Sequence, residues 1–190
     1  MLPMKNRTEH ILLWGSNIWY LGEGLLGPLL AVYTQKVGGN ILDISWACAL
    51  YLMIAGVTKI FVGKLSDGPK QKERLMVTGF ALNAVFTFCY LLVQTPQHLF
   101  LVQIGLGFAA ALATPTWAAL YALHQSSRKS GITWGLASGE ASIASSVAIL
   151  IGGYIVQTYS FSLLFLLMGS IQVIATIYQA RIFSSKSNCS

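Results

Sequence analysis

Long apolar runs separated by short polar breaks make up almost the whole chain. Six runs stand out, at 11–33, 43–63, 75–94, 99–121, 132–157 and 161–181. Each is close to the roughly 20 residues that a helix needs to cross the hydrocarbon core of a bilayer. The breaks carry turn chemistry: Gly38-Gly39-Asn40, Asp67-Gly68-Pro69, Thr95-Pro96-Gln97, residues 126–131 and Thr158-Tyr159-Ser160. Strands of a membrane barrel would be about 10 residues long and alternate in polarity. These runs are twice that length and do not alternate. The pattern predicts an all-α membrane protein, a single six-helix transmembrane domain over residues 1–190.

Composition narrows the class further. Charged residues are 9% of the chain and hydrophobic residues 55%, against about 25% charged in ordinary soluble domains. With a mean hydropathy of +0.64, there are too few charges to form a polar skin. The lipid bilayer is therefore the expected surroundings.

The basic residues set the orientation. Six spans place both termini on one side with the segments 64–74 and 122–131. Of the 12 Lys and Arg residues, only Lys36 falls on the other side. The positive-inside rule then makes both termini cytoplasmic, in a multi-pass protein of the plasma or inner membrane. The net charge of +6 reports this topology, and no nucleic-acid partner is expected. Lys5 and Arg7 precede an apolar run too long for a signal peptide, with no A-x-A cleavage site, so the first helix is expected to be retained.

Catalytic chemistry is thin. Cys48, Cys89 and Cys189 lack ligand spacing, and His10, His98 and His124 form no ligand pair. There is no phosphate-binding loop, nucleotide turn or nucleophile elbow. No enzyme activity, cofactor or metal site is expected.

The two halves of the chain echo each other at a nearly constant offset. Pro28 to Ala31 answers to Pro115 to Ala118. Ile44-Ser-Trp46 answers to Ile132-Thr-Trp134, and Gly63 to Asp67 answers to Gly153 to Gln157. Three helices repeated once must insert in opposite orientations. That is the inverted-repeat plan of secondary transporters. Shared helix-entry chemistry is the alternative source of the echo.

The loop after the second span resembles the major facilitator superfamily signature G-x-L-[A/S/G]-D-[R/K]-x-G-[R/K]-[R/K]. Gly63, Leu65, Ser66, Asp67 and Lys72 match it; Gly68, Lys70 and Gln71 depart from it. In the fifth span the small residues Gly135, Ala144, Ala148, Gly152 and Gly153 follow the pattern of proton-coupled exporters in that superfamily, without its proline. The resemblance implies half of a twelve-helix fold, with two inverted three-helix repeats. It further implies a half-size secondary transporter that moves a small-molecule solute by alternating access. Two parallel copies, or a second half-transporter, would complete the fold. On this resemblance Gly63, Asp67, Lys72 and Arg74 form a gating loop that locks one conformation. Gly135, Glu140, Ala144, Ala148 and Gly152 would face the partner, with Glu140 alternatively solvated by a cavity. A simple basic stop-transfer loop would explain the cations, but it would not ask for Gly63 and Asp67. A reading of another class, a non-transporting membrane scaffold or interaction subunit, keeps the same fold.

Polar residues inside the spans are the remaining candidates. Glu23 lies near the middle of the first span, and an acid in hydrocarbon is costly unless it serves a cavity or is protonated. At helical spacing Ser16, Trp19, Tyr20 and Gly27 share its face. A proton-coupling site is one reading, and a hydrogen bond to a neighbouring helix is the other. In the fourth span Gln103 and Thr114 share a face beside Trp117, and Pro115 marks a kink. The expected solute cavity is Ser16, Trp19, Tyr20, Gln103, Thr114 and Trp117, with polar glue between helices as the alternative.

Overall fold

A computed structural model describes residues 7–66, 71–125 and 130–186. Its elements are α1 (Arg7–Gly24), α2 (Leu29–Lys36), α3 (Ile41–Leu65), α4 (Gln71–Cys89), α5 (Pro96–His124), α6 (Ser130–Thr158), α7 (Phe161–Ala180) and α8 (Ile182–Lys186). A 3₁₀ turn, Tyr90–Leu92, ends α4. No strand occurs among the described residues.

The turn chemistry read from sequence starts the helices. Asn40 caps α3, accepting from Leu42 N at 2.8 Å and Asp43 N at 3.1 Å, while Asp43 Oδ2 accepts from Asn40 N at 2.8 Å. This reciprocal pair satisfies donors that a helix start otherwise leaves open. Gly38, at φ 85°, ends the preceding segment in a conformation that side chains disfavour. Ser160 caps α7 by accepting from Leu163 N at 3.2 Å.

Five helices are long and apolar enough to cross a membrane: α3, α4 through Leu92, α5, α6 and α7 with its extension to Ser184. The first expected span, 11–33, differs. A turn at residues 25–28 divides it into α1 and α2. Pro28 has no N–H to give, and Gly27 takes φ 29°, so the helix cannot continue through them. The break is also clamped from outside. A Cβ at Gly152 of α6 would collide with the Leu25 carbonyl oxygen, so the absence of a side chain there admits the turn.

Packing follows one order. α5 lies against α3 and α4, α1 lies against α6 and α7, and α4 meets α7. Exchanging α1 with α5, α3 with α6 and α4 with α7 returns the same principal neighbours. This arrangement leaves α3 and α6 as the edges. Of α3, only Ala47, Ala55 and Val62 are buried among its apolar side chains, while Leu52, Ile60 and Phe61 are well exposed. α6 likewise exposes Ile143, Leu150 and Tyr154.

Polarity is reversed relative to a water-soluble bundle. Asn83, Thr87, Gln103, Thr116, Gln172 and Gln179 are buried, while large apolar side chains cover the outside. A lipid solvent favours this arrangement, because polar groups find partners only inside. Two apolar clusters cap the bundle's interior. Tyr33, Tyr90, Phe161 and Phe165 gather at the end with the 37–40 and 159–160 turns. Leu12, Trp19, Phe80, Leu120 and Tyr121 gather at the other.

Candidate functional site

Two cavities flank α1. The first is a groove of about 500 Å³ between α1, α5 and α6, lined by Tyr20, Thr114, Trp117, Trp134, Ser138 and Ser142, among others. Its aromatic wall is fixed by stacking: Trp117 lies on Tyr121 with centroids 5.0 Å apart, and Trp134 meets Tyr121 edge-on at 5.2 Å. The Trp117 indole also donates to the Leu12 carbonyl at 3.0 Å, which ties α5 to α1. The serines bond within α6: Ser142 Oγ donates to the Ser138 carbonyl at 2.9 Å. A hydroxyl so used still has acceptor capacity facing the groove. A small adjoining void of about 20 Å³ is lined by Ser16, Trp19, Tyr20, Phe80, Thr114 and Trp117.

The second cavity is a chamber of about 340 Å³ on the other side of α1. Its lining includes Glu23, Tyr51, Asn83, Thr87, Tyr90 and Gln172, together with Gln103. Gln103 Nε2 donates to the Tyr90 hydroxyl at 3.2 Å. Tyr90 is held in turn by stacking on Phe165 at 4.9 Å, and the Tyr33 hydroxyl donates to the Tyr90 carbonyl at 2.9 Å. Among the described residues, Glu23 is the only charged one in the lining.

The residues expected for one solute cavity therefore divide. Ser16, Trp19, Tyr20, Thr114 and Trp117 come together around the groove and its adjoining void. Gln103 joins Glu23 in the chamber instead, because α5 presents the two stretches on either side of α1.

The residues expected at a partner interface also divide. Ala148 and Gly152 are buried against this chain's own α1, where Gly24 and Leu25 approach, so they do not face a partner. Gly135 lies open on α6 with nothing near its Cα, and Ala144 is half-buried. Glu140 is anchored within the chain: Asn17 Nδ2 donates to its Oε2 at 2.8 Å.

In the loop signature, Asp67 lies outside the described residues. Gly63 and Arg74 are exposed and Lys72 is half-buried. Ser66 Oγ donates to the Gly63 carbonyl at 3.0 Å and closes the end of α3.

Sequence reasoning missed Tyr51, Asn83, Thr87, Tyr90 and Gln172 of the chamber, and Ser138, Ser142 and Ser145 of the groove. A signal for both sets was present. Asn83 and Thr87 sit four apart in an apolar run, and Ser138, Ser142 and Ser145 recur at helical spacing.

The sequence has relatives. A family model described as Major Facilitator Superfamily matches residues 12–186. A protein named as an uncharacterized MFS-type transporter of Methanocaldococcus jannaschii is 27% identical over 157 residues, covering 83% of this chain and 40% of that protein. Multidrug resistance protein MdtG of Escherichia coli is 23% identical over 164 residues, again covering 83% of this chain and 40% of that protein. The chain thus spans 40% of the length of both relatives.

Proposed function

The chain belongs to the Major Facilitator Superfamily, and on that premise we propose that it forms one six-helix half of an alternating-access transporter for a small solute. The observation that carries this reading is the aromatic and serine-lined groove of about 500 Å³ in a bundle whose exterior is otherwise apolar. The groove is mostly apolar, but its serine and threonine hydroxyls sit at membrane depth, where polar groups are kept for a cavity, a ligand or a partner helix. In this reading α1 and α2 together make the sixth span, broken beside the chamber that Leu26 and Gly27 line, in the way transporter helices break around a site. The neighbour pattern, unchanged when the two sets of three helices are exchanged, supports an inverted repeat.

A second bundle covers the groove and packs on the edges α3 and α6. It comes from another copy of this chain, a separate chain or further residues of the same polypeptide. Exposed glycines on both edges, Gly56 and Gly63 on α3 and Gly131, Gly135 and Gly139 on α6, have open space where a Cβ would lie. Small residues allow the close helix approach on which association in lipid depends. Glu23 couples transport to protons, and the loop from Gly63 to Arg74 gates the cytoplasmic side.

The test needs no knowledge of the solute. Ser138→Cys is made with Cys48, Cys89 and Cys189 replaced by Ser, and labelled with an impermeant maleimide from each face of the membrane. Alternating access exposes the groove to both faces in turn, so both labellings succeed, and an imposed pH gradient shifts their ratio. Labelling from one face alone overturns transport in favour of a static scaffold.

A further inference from the structure

We infer that the chamber beside Glu23 is a binding site for a primary alkylammonium ion, and that it discriminates against quaternary ammonium. This rests on the transport reading only for its physiological use; the site itself stands on the geometry of the chamber.

Charge comes first. Among the described residues, Glu23 is the only charged group in the lining, and no Lys, Arg or His joins it. Among the described residues, no side chain donates to its carboxylate. Glu23 is half-buried, and a carboxylate in a mostly apolar chamber without a counter-charge favours a ligand carrying a single positive charge, because the pair is neutral where the dielectric is low. An anion or a zwitterion would bring a negative group to a wall with no cation to receive it.

Hydrogen-bond balance narrows the class. Gln172 is 1% exposed and its Oε1 has no partner. Its carboxamide is held by shape: Nε2 lies against Gly22, where a Cβ would come within 3.2 Å. Asn83, four-hundredths exposed at 4%, lines the same space. The Tyr90 hydroxyl already accepts from Gln103. The hydroxyls of Tyr51, Thr87 and Tyr90 and the Asn83 amide can donate as well as accept, yet among the described residues none of them donates to Glu23 or to Gln172 Oε1. An ammonium with three N–H groups supplies donors to Glu23 and Gln172 together, whereas a quaternary nitrogen supplies none. A site built to receive N–H donors rejects a ligand without them, because its acceptors stay unpaired.

The rest of the wall accommodates a tail. Leu26, Leu30, Leu106 and Met168 supply apolar surface, and a space of about 340 Å³ admits a short alkyl chain. The lining reaches the surface at Cys48 and Leu52 of α3, opposite Gly27. Cys48 is an exposed free thiol, so it reports on occupancy of the chamber without an added label.

The experiment measures alkylation of Cys48 by N-ethylmaleimide in membranes, in a variant carrying Cys89→Ser and Cys189→Ser. Hexylamine, protonated at neutral pH, is expected to slow the reaction. Hexyltrimethylammonium, with the same tail, should need at least about tenfold more to give the same protection, by the hydrogen-bond selectivity argued above. Glu23→Gln abolishes protection by both amines. Gln172→Met narrows the difference between them, and Asn83→Leu serves the same purpose should the first variant fail to reach the membrane. Equal protection by the two amines, or protection that survives Glu23→Gln, overturns the assignment. The two-faced labelling of Ser138→Cys separates this result from the transport reading. Protection without two-faced labelling keeps the ammonium site and removes transport. Two-faced labelling without protection keeps transport and removes the site.

Discussion

Two glutamates of the bundle interior have opposite fates, and the difference lies in one neighbour. Glu140 accepts a hydrogen bond from Asn17 at 2.8 Å, so it joins α6 to α1. Glu23 has no donor among the described side chains and faces a chamber instead. Asn17→Ala should remove this part-buried hydrogen bond and destabilise the bundle by about 1 kcal/mol, the usual net worth of one such bond. Thermal unfolding in detergent measures this, and an unchanged midpoint would show that Glu140 finds water. Glu23→Gln should leave that midpoint in place while removing the response of Ser138→Cys labelling to a pH gradient. A wild-type response would make Glu23 structural. From sequence, both acids were recognisable as unusual, because charge inside an apolar run is visible without coordinates. Their partners were not. Asn17 and Glu140 lie on helices far apart in the chain, and only tertiary packing brings them to bonding distance. The same reason hid Gln172, whose importance depends on Gly22 of another helix leaving it room.

Helix identity was the more legible scale, since apolar run length and turn residues act locally. The caps at Asn40 and Ser160 fall in breaks read from sequence; α3, α5 and α6 each contain an expected run, and α7 covers the last one except for Arg181. The exception is the first span, where an unbroken apolar run concealed the turn at residues 25–28. Pro28 and Gly27 were in view, but hydropathy alone is indifferent to a missing N–H or a positive φ. The turn's packing on α6 also redefines the small residues there. Gly152 and Gly135 are the same residue type on one helix, yet one is clamped and the other is open. Gly152→Val should destabilise by about 3 kcal/mol or more, since the clash is with backbone that cannot turn aside. Gly135→Val should stay within about 0.5 kcal/mol in the isolated bundle, as an exposed substitution does. Unfolding midpoints of the two variants, compared side by side, check the contrast. Equal losses would mean that Gly135 is packed as tightly as Gly152.

At the scale of the whole molecule, the open edges define where the proposed second bundle would sit. α3 and α6 are the edges of the bundle and bury few of their own apolar residues. Family halves are related by an axis along the membrane normal. In the proposed assembly, rotation by half a turn about that axis sets α3 of one bundle against α6 of the other. It also requires both bundles to share one orientation, which the basic residues make testable. Lys36→Cys should label from outside the cell and Arg74→Cys only from the cytoplasm; the reverse pattern would invert the topology. Gly56 of α3 and Gly139 of α6 lie equally far from Leu65 and Ser130, the helix ends that the proposed topology puts on the cytoplasmic side, and a Cβ at either would meet open space. If two copies of this chain pair, Gly56→Cys combined with Gly139→Cys should give disulfide-linked dimers in membranes, after Cys48, Cys89 and Cys189 are replaced. Either cysteine alone should give none, because the rotation sets α3 against α6 and keeps like helices apart. Mass measured in lipid nanodiscs supplies the independent arm. A dimeric mass with the double-cysteine crosslink establishes self-pairing. A monomeric mass without crosslinks refutes it and assigns the covering bundle to a different chain or to further residues of this one, whose identity the same exposed edges of α3 and α6 can then be used to capture.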